Sequence, residues 1–476
     1  MRGRQTPPVS LTARPVPPSS PKRAGAMLVA AGVLTGLASP NAAASRAAGA
    51  VSSGGSWTTY GGAMSRDSIQ PVGPALHPLR VAWRSARLDG AIYGEPLIFD
   101  RLVYVATEND TVDALSARTG RLRWQRHLGA PVPASTLPCG DITPSLGVTS
   151  TMVIDPARHE LFVSAALDVG GQYRHELLAL STATGEIRWR RELDPAWWNR
   201  PAQLQRAALA LAGGRVIVGF GGNYGDCAQY RGTVLAVSES GGGRILSYVV
   251  PASRQGAIWA PSGISVSPAG DLYAATGNGA SISASHFDEG DSVVELSPRL
   301  ARLGLFAPRN WLADNESDRD LGSAAPMLLG ADRALIVGKE ATGYLLDTVR
   351  LGGIGGELAR APVCFSQGGD AWRPPLAYVA CPGGSLTAVR VGTRSLRVAW
   401  RGPSGTSGSP TVAGGLVFEV SDGTLSGLAP NTGKRVVTMP TISTEHFAAP
   451  SAGEGLVVVG GQDAVEAFVG PRGFQP

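Results

Sequence analysis

The stretch Ala114-Leu115-Ser116-Ala117-Arg118-Thr119-Gly120, with Trp124 four residues after its glycine, is repeated further along the chain. It returns as Ala179-Leu180-Ser181-Thr182-Ala183-Thr184-Gly185, again with a tryptophan, Trp189, four residues on. A looser copy is Gly427-Leu428-Ala429-Pro430-Asn431-Thr432-Gly433, where Val437 takes the tryptophan position. Such self-similarity marks a repeat architecture, in which each unit leans on its neighbours to bury a face.

Outward from these phrases, an apolar strand precedes each one. Eight such strands can be counted, at Leu102–Val105, Leu161–Val163, Val216–Val218, Leu272–Ala274, Ala334–Val337, Ala377–Val379, Leu416–Val420 and Leu456–Val459. Before these lie small residues, often with proline, as in Gly94-Glu95-Pro96, Ala260-Pro261 and Ser409-Pro410. Each unit reads as inner strand, apolar strand, Ala-Leu strand, tight turn and outer strand, the four-stranded sheet of a propeller. The glycine supplies the positive φ that a short hairpin requires, and the tryptophan supplies a large flat ring for the gap between sheets. The expected fold is therefore all-β, an eight-bladed β-propeller of four-stranded antiparallel blades. The last unit stops after its third strand near Phe468, so the N-terminal strand around Leu79 to Arg84 is expected to close the last blade and remove the open edge.

The phrase Ala-Leu-x-x-x-Thr-Gly followed by Trp resembles the repeat of the quinoprotein (PQQ-like) propeller family, from about residue 80 to 470. Ser116, Ser181 and Ala429 stand where many family copies carry Asp, which marks these repeats as divergent. The wider phrase is similar to a group of secreted bacterial PQQ-like repeat proteins of unassigned activity. For the dehydrogenases of the family, the resemblance implies PQQ as electron acceptor, calcium to polarise the quinone, and an adjacent cysteine pair against the cofactor. That pair is missing here, and so is any C-x-x-C-H haem site.

Residues 1–44 hold Arg2, Arg4, Arg14, Lys22 and Arg23 without an acid, then an apolar run from Ala26 to Ala38 and the triplet Ala42-Ala43-Ala44. This order predicts a signal peptide, with residues 45–79 as an N-terminal lead-in and 80–470 as the propeller. The apolar run is shorter than the roughly 20 residues of a membrane span. Of 42 Lys plus Arg, five leave with the leader, so 37 face 37 Asp plus Glu. A neutral mature chain gives no electrostatic reason for a nucleic-acid partner; an extracytoplasmic monomer without a membrane span is expected. Four cysteines in an exported chain predict two disulfides. Cys139 with Cys227 would join loops of neighbouring blades, and Cys364 with Cys381 would face each other across a hairpin.

The long insertions fall at 125–146, 190–204, 221–231, 277–291 and 307–320, all on connections that emerge on one face of a propeller. That face is the expected place for a small molecule or a protein partner. Its candidate ligand residues are Trp197, Trp198, Tyr224, Asp226, Tyr230, Trp259, His286, Trp311 and Lys339, with the acids Asp288, Glu289 and Asp291 nearby. Aromatics beside acids suit a sugar or a quinone; the competing account has these loops packing against one another over the ring. Glu95, Arg206, Trp259 and His446 stand near inner-strand starts, close to the channel mouth. The run Asp314-Asn315-Glu316-Ser317-Asp318-Arg319-Asp320 has the oxygen density of a calcium loop, but Arg319 stands where the turn needs glycine, which favours a helix cap or a solvated loop. No H-E-x-x-H, G-x-S-x-G or phosphate loop is present, so no catalytic or metal-ligating residue is assigned. The expected function is an exported binding or interaction module, with a PQQ- and calcium-dependent dehydrogenase of alcohols or sugars as the alternative.

Overall fold

The computed structural model describes residues 55–475; the signal-peptide reading of residues 1–44 lies outside them. Eight antiparallel sheets follow one another along the chain. Blade 1 is built from Leu97–Phe99, Leu102–Ala106, Thr111–Ser116 and Leu122–His127. Blade 2 spans Val153 to Glu192, blade 3 Ala210 to Val249, blade 4 Ser265 to Ala307 and blade 5 Met327 to Pro362. Blade 6 spans Ala371 to Arg401 and blade 7 Thr411 to Pro440. Blade 8 takes three strands from Ser451 to Val469 and its fourth, Arg80–Arg84, from the N-terminal side, in antiparallel register with Val465–Val469. The eight apolar strands expected from the sequence are the second strands of the eight blades, and the N-terminal strand closes the ring as expected.

The repeat's glycine and tryptophan work across blade boundaries. Trp83, Trp124, Trp189 and Trp400 each donate an indole N–H to the turn of the following blade, at Ala117 (2.7 Å), Thr182 (2.9 Å), Glu239 (3.1 Å) and Pro430 (3.0 Å). Each ring lies against the positive-φ glycine of that turn, Gly120, Gly185, Gly241 and Gly433 in the same order. The glycine is required twice, once by its φ and once because a methyl there would sit within about 2.5 Å of indole carbons. Trp83 belongs to the N-terminal strand, so the closing contact of the ring repeats the internal ones. Gly185→Ala is expected to cost about 3 kcal/mol, from strain at φ +66° plus displacement of Trp124. Chemical denaturation checks it, and a loss below about 1 kcal/mol would show that the turn relaxes freely.

The lead-in turns out to be an integral layer. Residues 55–70 make one circuit of the inner rim and meet the blades in order. Glu454 of blade 8 donates its N–H to Gly55 O (2.8 Å), Trp57 and Ile98 of blade 1 exchange two backbone bonds (2.7 and 2.8 Å), and Ile154 of blade 2 bonds Thr58 O (2.8 Å). Past the blade 3 contacts of Thr59 and Arg66 with Leu209 O, Val266 of blade 4 bonds Met64 O, Leu328 of blade 5 bonds Ser65 O, and Trp372 of blade 6 bonds Asp67 O. Val412 of blade 7 completes the circuit on Ser68 O (2.8 Å). Inner strands of a propeller leave one edge of N–H and C=O groups facing the axis, and an unpaired buried amide is costly. The circuit satisfies part of every such edge. Its contacts fall toward the ends of the inner strands that carry the short turns, so the opposite end of the channel, on the face of the long loops, is the one left with a mouth.

Candidate functional site at the channel mouth

The floor of the mouth is Tyr60, which stands on the circuit and packs against Ala208 and Ala449. Its hydroxyl approaches the Gly369 backbone closely enough that no side chain would fit there. Gly61 N donates to Glu95 Oε2 (2.7 Å), tying the floor to blade 1. Beneath it, the fully buried Arg66 donates to Ile264 O (3.2 Å), Thr59 Oγ1 (2.7 Å), Tyr60 O (3.0 Å) and Leu209 O (2.9 Å).

Above the floor lies Arg206, buried at 4 % exposure. Its guanidinium sits between the rings of Tyr93 and Phe447, 5.6 Å from each centroid, and Nη1 donates to Thr149 O (3.3 Å). Nη2 is buried without a hydrogen-bond partner, and no carboxylate of the described residues stands within ion-pair distance of the group. His446 packs edge-on against Tyr93 (5.3 Å) and Phe447 (4.6 Å). Glu108 borders the same space, with Oε2 accepting Gly147 N–H (2.7 Å) and Thr149 beside its carboxyl.

Burial sets the charge of this interior. It pushes the carboxyl of Glu95 up to about 8, and those of Glu108 and Asp370 up to about 7. Burial lowers Arg66 to about 10 and also lowers Arg206, with Glu108 opposing the second shift. Near neutral pH the arginines keep their protons, Glu95 stays largely protonated, and Glu108 and Asp370 lose part of their charge; the carboxyls of Asp141 and Glu445 face the same space, the first toward Arg206 and both toward Tyr93. Two buried polar atoms there, Asp370 Oδ2 and Arg206 Nη2, have no hydrogen-bond partner, whereas Tyr60, Glu95 and Glu108 face Ser409, Trp57 and Thr149. Buried polar atoms are normally satisfied, by protein, water or ligand.

The next sector of the rim is Trp259, half-buried, with Lys339 Nζ 5.5 Å from its ring centroid and Phe447 6.3 Å away. Lys339 pairs with Asp318 (3.1 Å) and Asp320 (2.5 Å), and Asn278 bonds the same two acids. Trp259, Lys339, Arg206, Glu95 and His446 therefore share the mouth. The other candidates from the sequence stay in their own loops. Tyr230 donates to Asp226 (2.7 Å), and Tyr224 is 72 % exposed. His286 is exposed, with Phe287 packed on the buried Trp311 (4.9 Å). Asp288 accepts the N–H groups of Ala280 and Ser281, Glu289 holds Tyr248 (2.6 Å) and Arg302 (3.0 Å), and Asp291 accepts Leu321 N. Trp197 and Trp198 lie off the axis. The acidic run starts in the last turn of the short helix Trp311–Glu316 and continues past it to Asp320.

Tyr60, Arg66, Tyr93, Glu108, Asp370 and Phe447 are mouth residues that the sequence did not single out. Both disulfides form as expected, Cys139–Cys227 with Cα atoms 6.1 Å apart and Cys364–Cys381 with 5.8 Å. They suit an oxidising, extracytoplasmic environment. No helix of the described residues is long and apolar enough to cross a membrane.

Residues 80–302 match the family model described as outer membrane protein assembly factor BamB. No curated protein matches the chain by sequence. Among solved structures, the quinohemoprotein alcohol dehydrogenase from Comamonas testosteroni aligns with TM-score 0.67 at 17% identity, over 88% of this chain and 81% of that one. A europium-containing methanol dehydrogenase aligns at 0.64 and 15% identity, over 88% and 98%. BamB from Moraxella catarrhalis aligns at 0.55 and 13%, over 81% and 99%. At these identities the likeness concerns fold, which does not fix function; the PQQ-like repeat and the eight-bladed propeller stand.

Proposed function

We propose that this PQQ-like propeller acts as an exported, monomeric binding module whose channel mouth takes a carboxylate-bearing small molecule or protein segment. The observation that carries this reading is Arg206, a buried guanidinium with an unpartnered Nη2 and, among the described residues, no carboxylate within ion-pair distance. A guanidinium is an acceptor-free fork of donors suited to a carboxylate, and the aromatic rings on both sides orient it without neutralising it. The sealed floor means that a ligand enters from the long-loop face alone.

The alternative, a PQQ- and calcium-dependent dehydrogenase, draws support from the two dehydrogenase neighbours and from Trp259 as a flat ring at the rim. The residues present do not fit its metal. A divalent cation needs several oxygens at once, yet Asp318 and Asp320 are already held by the Lys339 ammonium. No group of three acid, histidine or cysteine side chains among the described residues is arranged to hold an ion.

The test is thermal melting of the mature chain with citrate, succinate and PQQ, each in calcium and in chelator. A ligand at a hundredfold excess over its dissociation constant adds about 2.7 kcal/mol. At least one carboxylate is expected to raise Tm in chelator, and Arg206→Gln to abolish the rise. A rise confined to PQQ with calcium would replace this reading with the dehydrogenase, and no rise with any of the three would remove it.

A further inference from the structure

A cavity of about 390 Å³ lies off the propeller axis, where the long loops flanking blade 2 meet. One wall is the loop entering blade 2, with Thr136 and Leu137; the second is the hairpin of blade 2, with Asp168, Gln172 and Tyr173; the third is the loop leaving it, with Trp198 and Asn199. Its volume lies within the roughly 300–1,000 Å³ of small-molecule clefts.

Each wall is anchored from behind. The first carries Cys139, which is bonded to Cys227 of the blade 3 loop. The hairpin stands on the nine-residue strands Glu160–Asp168 and Tyr173–Ser181, and Asp168 Oδ1 accepts Gly171 N at its tip (2.6 Å). The third wall is held by a buried pair, His175 Nδ1 with Asp194 Oδ1 (2.7 Å), on which Trp198 and Phe220 pack edge-on. Arg200 adds contacts to Glu192 (2.8 Å) and Asp194 (3.6 Å). The cleft is therefore preformed, which lowers the ordering cost of binding.

Its chemistry is specific. Trp198 is 8 % exposed and its indole N–H has no partner. Next to it, Trp197 is 53 % exposed, and its ring stands perpendicular to that of Trp198 with centroids 6.0 Å apart. At the rim, the exposed amides of Gln172 and Asn199 each offer donors and an acceptor. The lining carries one acid, Asp168, and one base, Arg200, which is already tied to acids behind it. The unpartnered indole N–H of Trp198, two-way hydrogen-bonding amides and no surplus charge in the lining match the hydroxyls of a neutral sugar, and the exposed ring of Trp197 stands beside the cleft for its CH face.

We infer that this off-axis cleft is a second ligand site, for a neutral saccharide of one or two rings, separate from the anion-directed channel mouth. The test is saturation-transfer NMR on the mature chain with maltose, cellobiose, lactose and N,N′-diacetylchitobiose, titrated to about 20 mM. At least one is expected to saturate. The double variant Gln172→Ala/Asn199→Ala alters two exposed side chains of the lining and is expected to weaken binding about fivefold or more, and Trp197→Ala, which removes the exposed ring beside the cleft, is expected to weaken it as well. Val349→Ser, an exposed change on the short-turn side, is expected to leave binding intact. Absence of saturable signal with all four sugars overturns the inference, and so does binding that survives the double variant of the lining undiminished.

Discussion

Replacing Arg66 by methionine is expected to destabilise the chain by about 4 kcal/mol. Arg66 joins the N-terminal circuit to blades 3 and 4 by hydrogen bonds to Leu209 O and Ile264 O, while also holding Thr59 and Tyr60 of its own segment. Two effects oppose each other. Removing a buried charge returns its desolvation cost, which is visible in the lowering of Arg66 to about 10. Against that, four acceptors lose charge-assisted hydrogen bonds of about 1.5–3 kcal/mol each and remain inside the ring, where water does not easily replace the donor. The second effect wins. Methionine keeps much of the volume and inherits the same strained φ of +60°, so the measured loss reports the bonds and not the backbone. Urea denaturation gives the magnitude, and limited proteolysis should show cleavage within 55–70 before the blades are cut. A loss under about 1 kcal/mol with an uncut segment would show that the circuit is held by its backbone bonds alone.

The same circuit shows where sequence reading stops. The blades were legible because their signal is local and periodic: the Ala-Leu strand, the Thr-Gly turn and the tryptophan recur at fixed spacing, and each has a physical task within one unit or against the next. Closure by Trp83 was legible for the same reason, since it is one more copy of that contact. The disulfides followed from loop placement, because Cys139 and Cys227 lie on connections that the topology sends to one face. Residues 55–70 repeat nothing. Their bonds are backbone bonds to seven blades and side-chain bonds from Thr59 and Arg66 at the start of blade 3, which leave no periodic trace in side-chain identity. The mouth was half legible. Glu95, Arg206, Trp259 and His446 stand at inner-strand starts, a position that the repeat itself marks. Tyr93, one residue before Gly94, carried the same positional signal, whereas Tyr60 and Phe447 gain their roles only once the chain closes. Most of the loop candidates, such as Asp288 and Glu289, are engaged in holding loop backbone and neighbouring side chains, as the competing account of those insertions expects.

The buried carboxyls of the channel give the second large effect, a stability that falls as pH rises. Glu95 ionises near 4.5 when exposed and near 8 in the folded chain, chiefly through burial, with the bond from Gly61 opposing the shift. Between those two values the folded state keeps a proton that the unfolded chain has released, so folding is favoured most below about pH 4.5. The contribution shrinks as pH rises and is lost once pH passes about 8. Each pH unit in that window is worth about 1.4 kcal/mol for a group that behaves ideally, so the total reaches a few kcal/mol. Glu108 and Asp370, raised to about 7, act in the same direction and stop earlier. Glu95→Gln isolates the first term, because the amide oxygen still accepts Gly61 N–H but nothing titrates. Melting at pH 5, 6, 7 and 8 is expected to show the wild type losing ground steadily against the variant, which overtakes it or closes most of the gap by pH 8. Parallel curves would mean that Glu95 is ionised in the folded chain, paired electrostatically with Arg66 beneath the floor, and the mouth would then set one more negative charge against an incoming carboxylate.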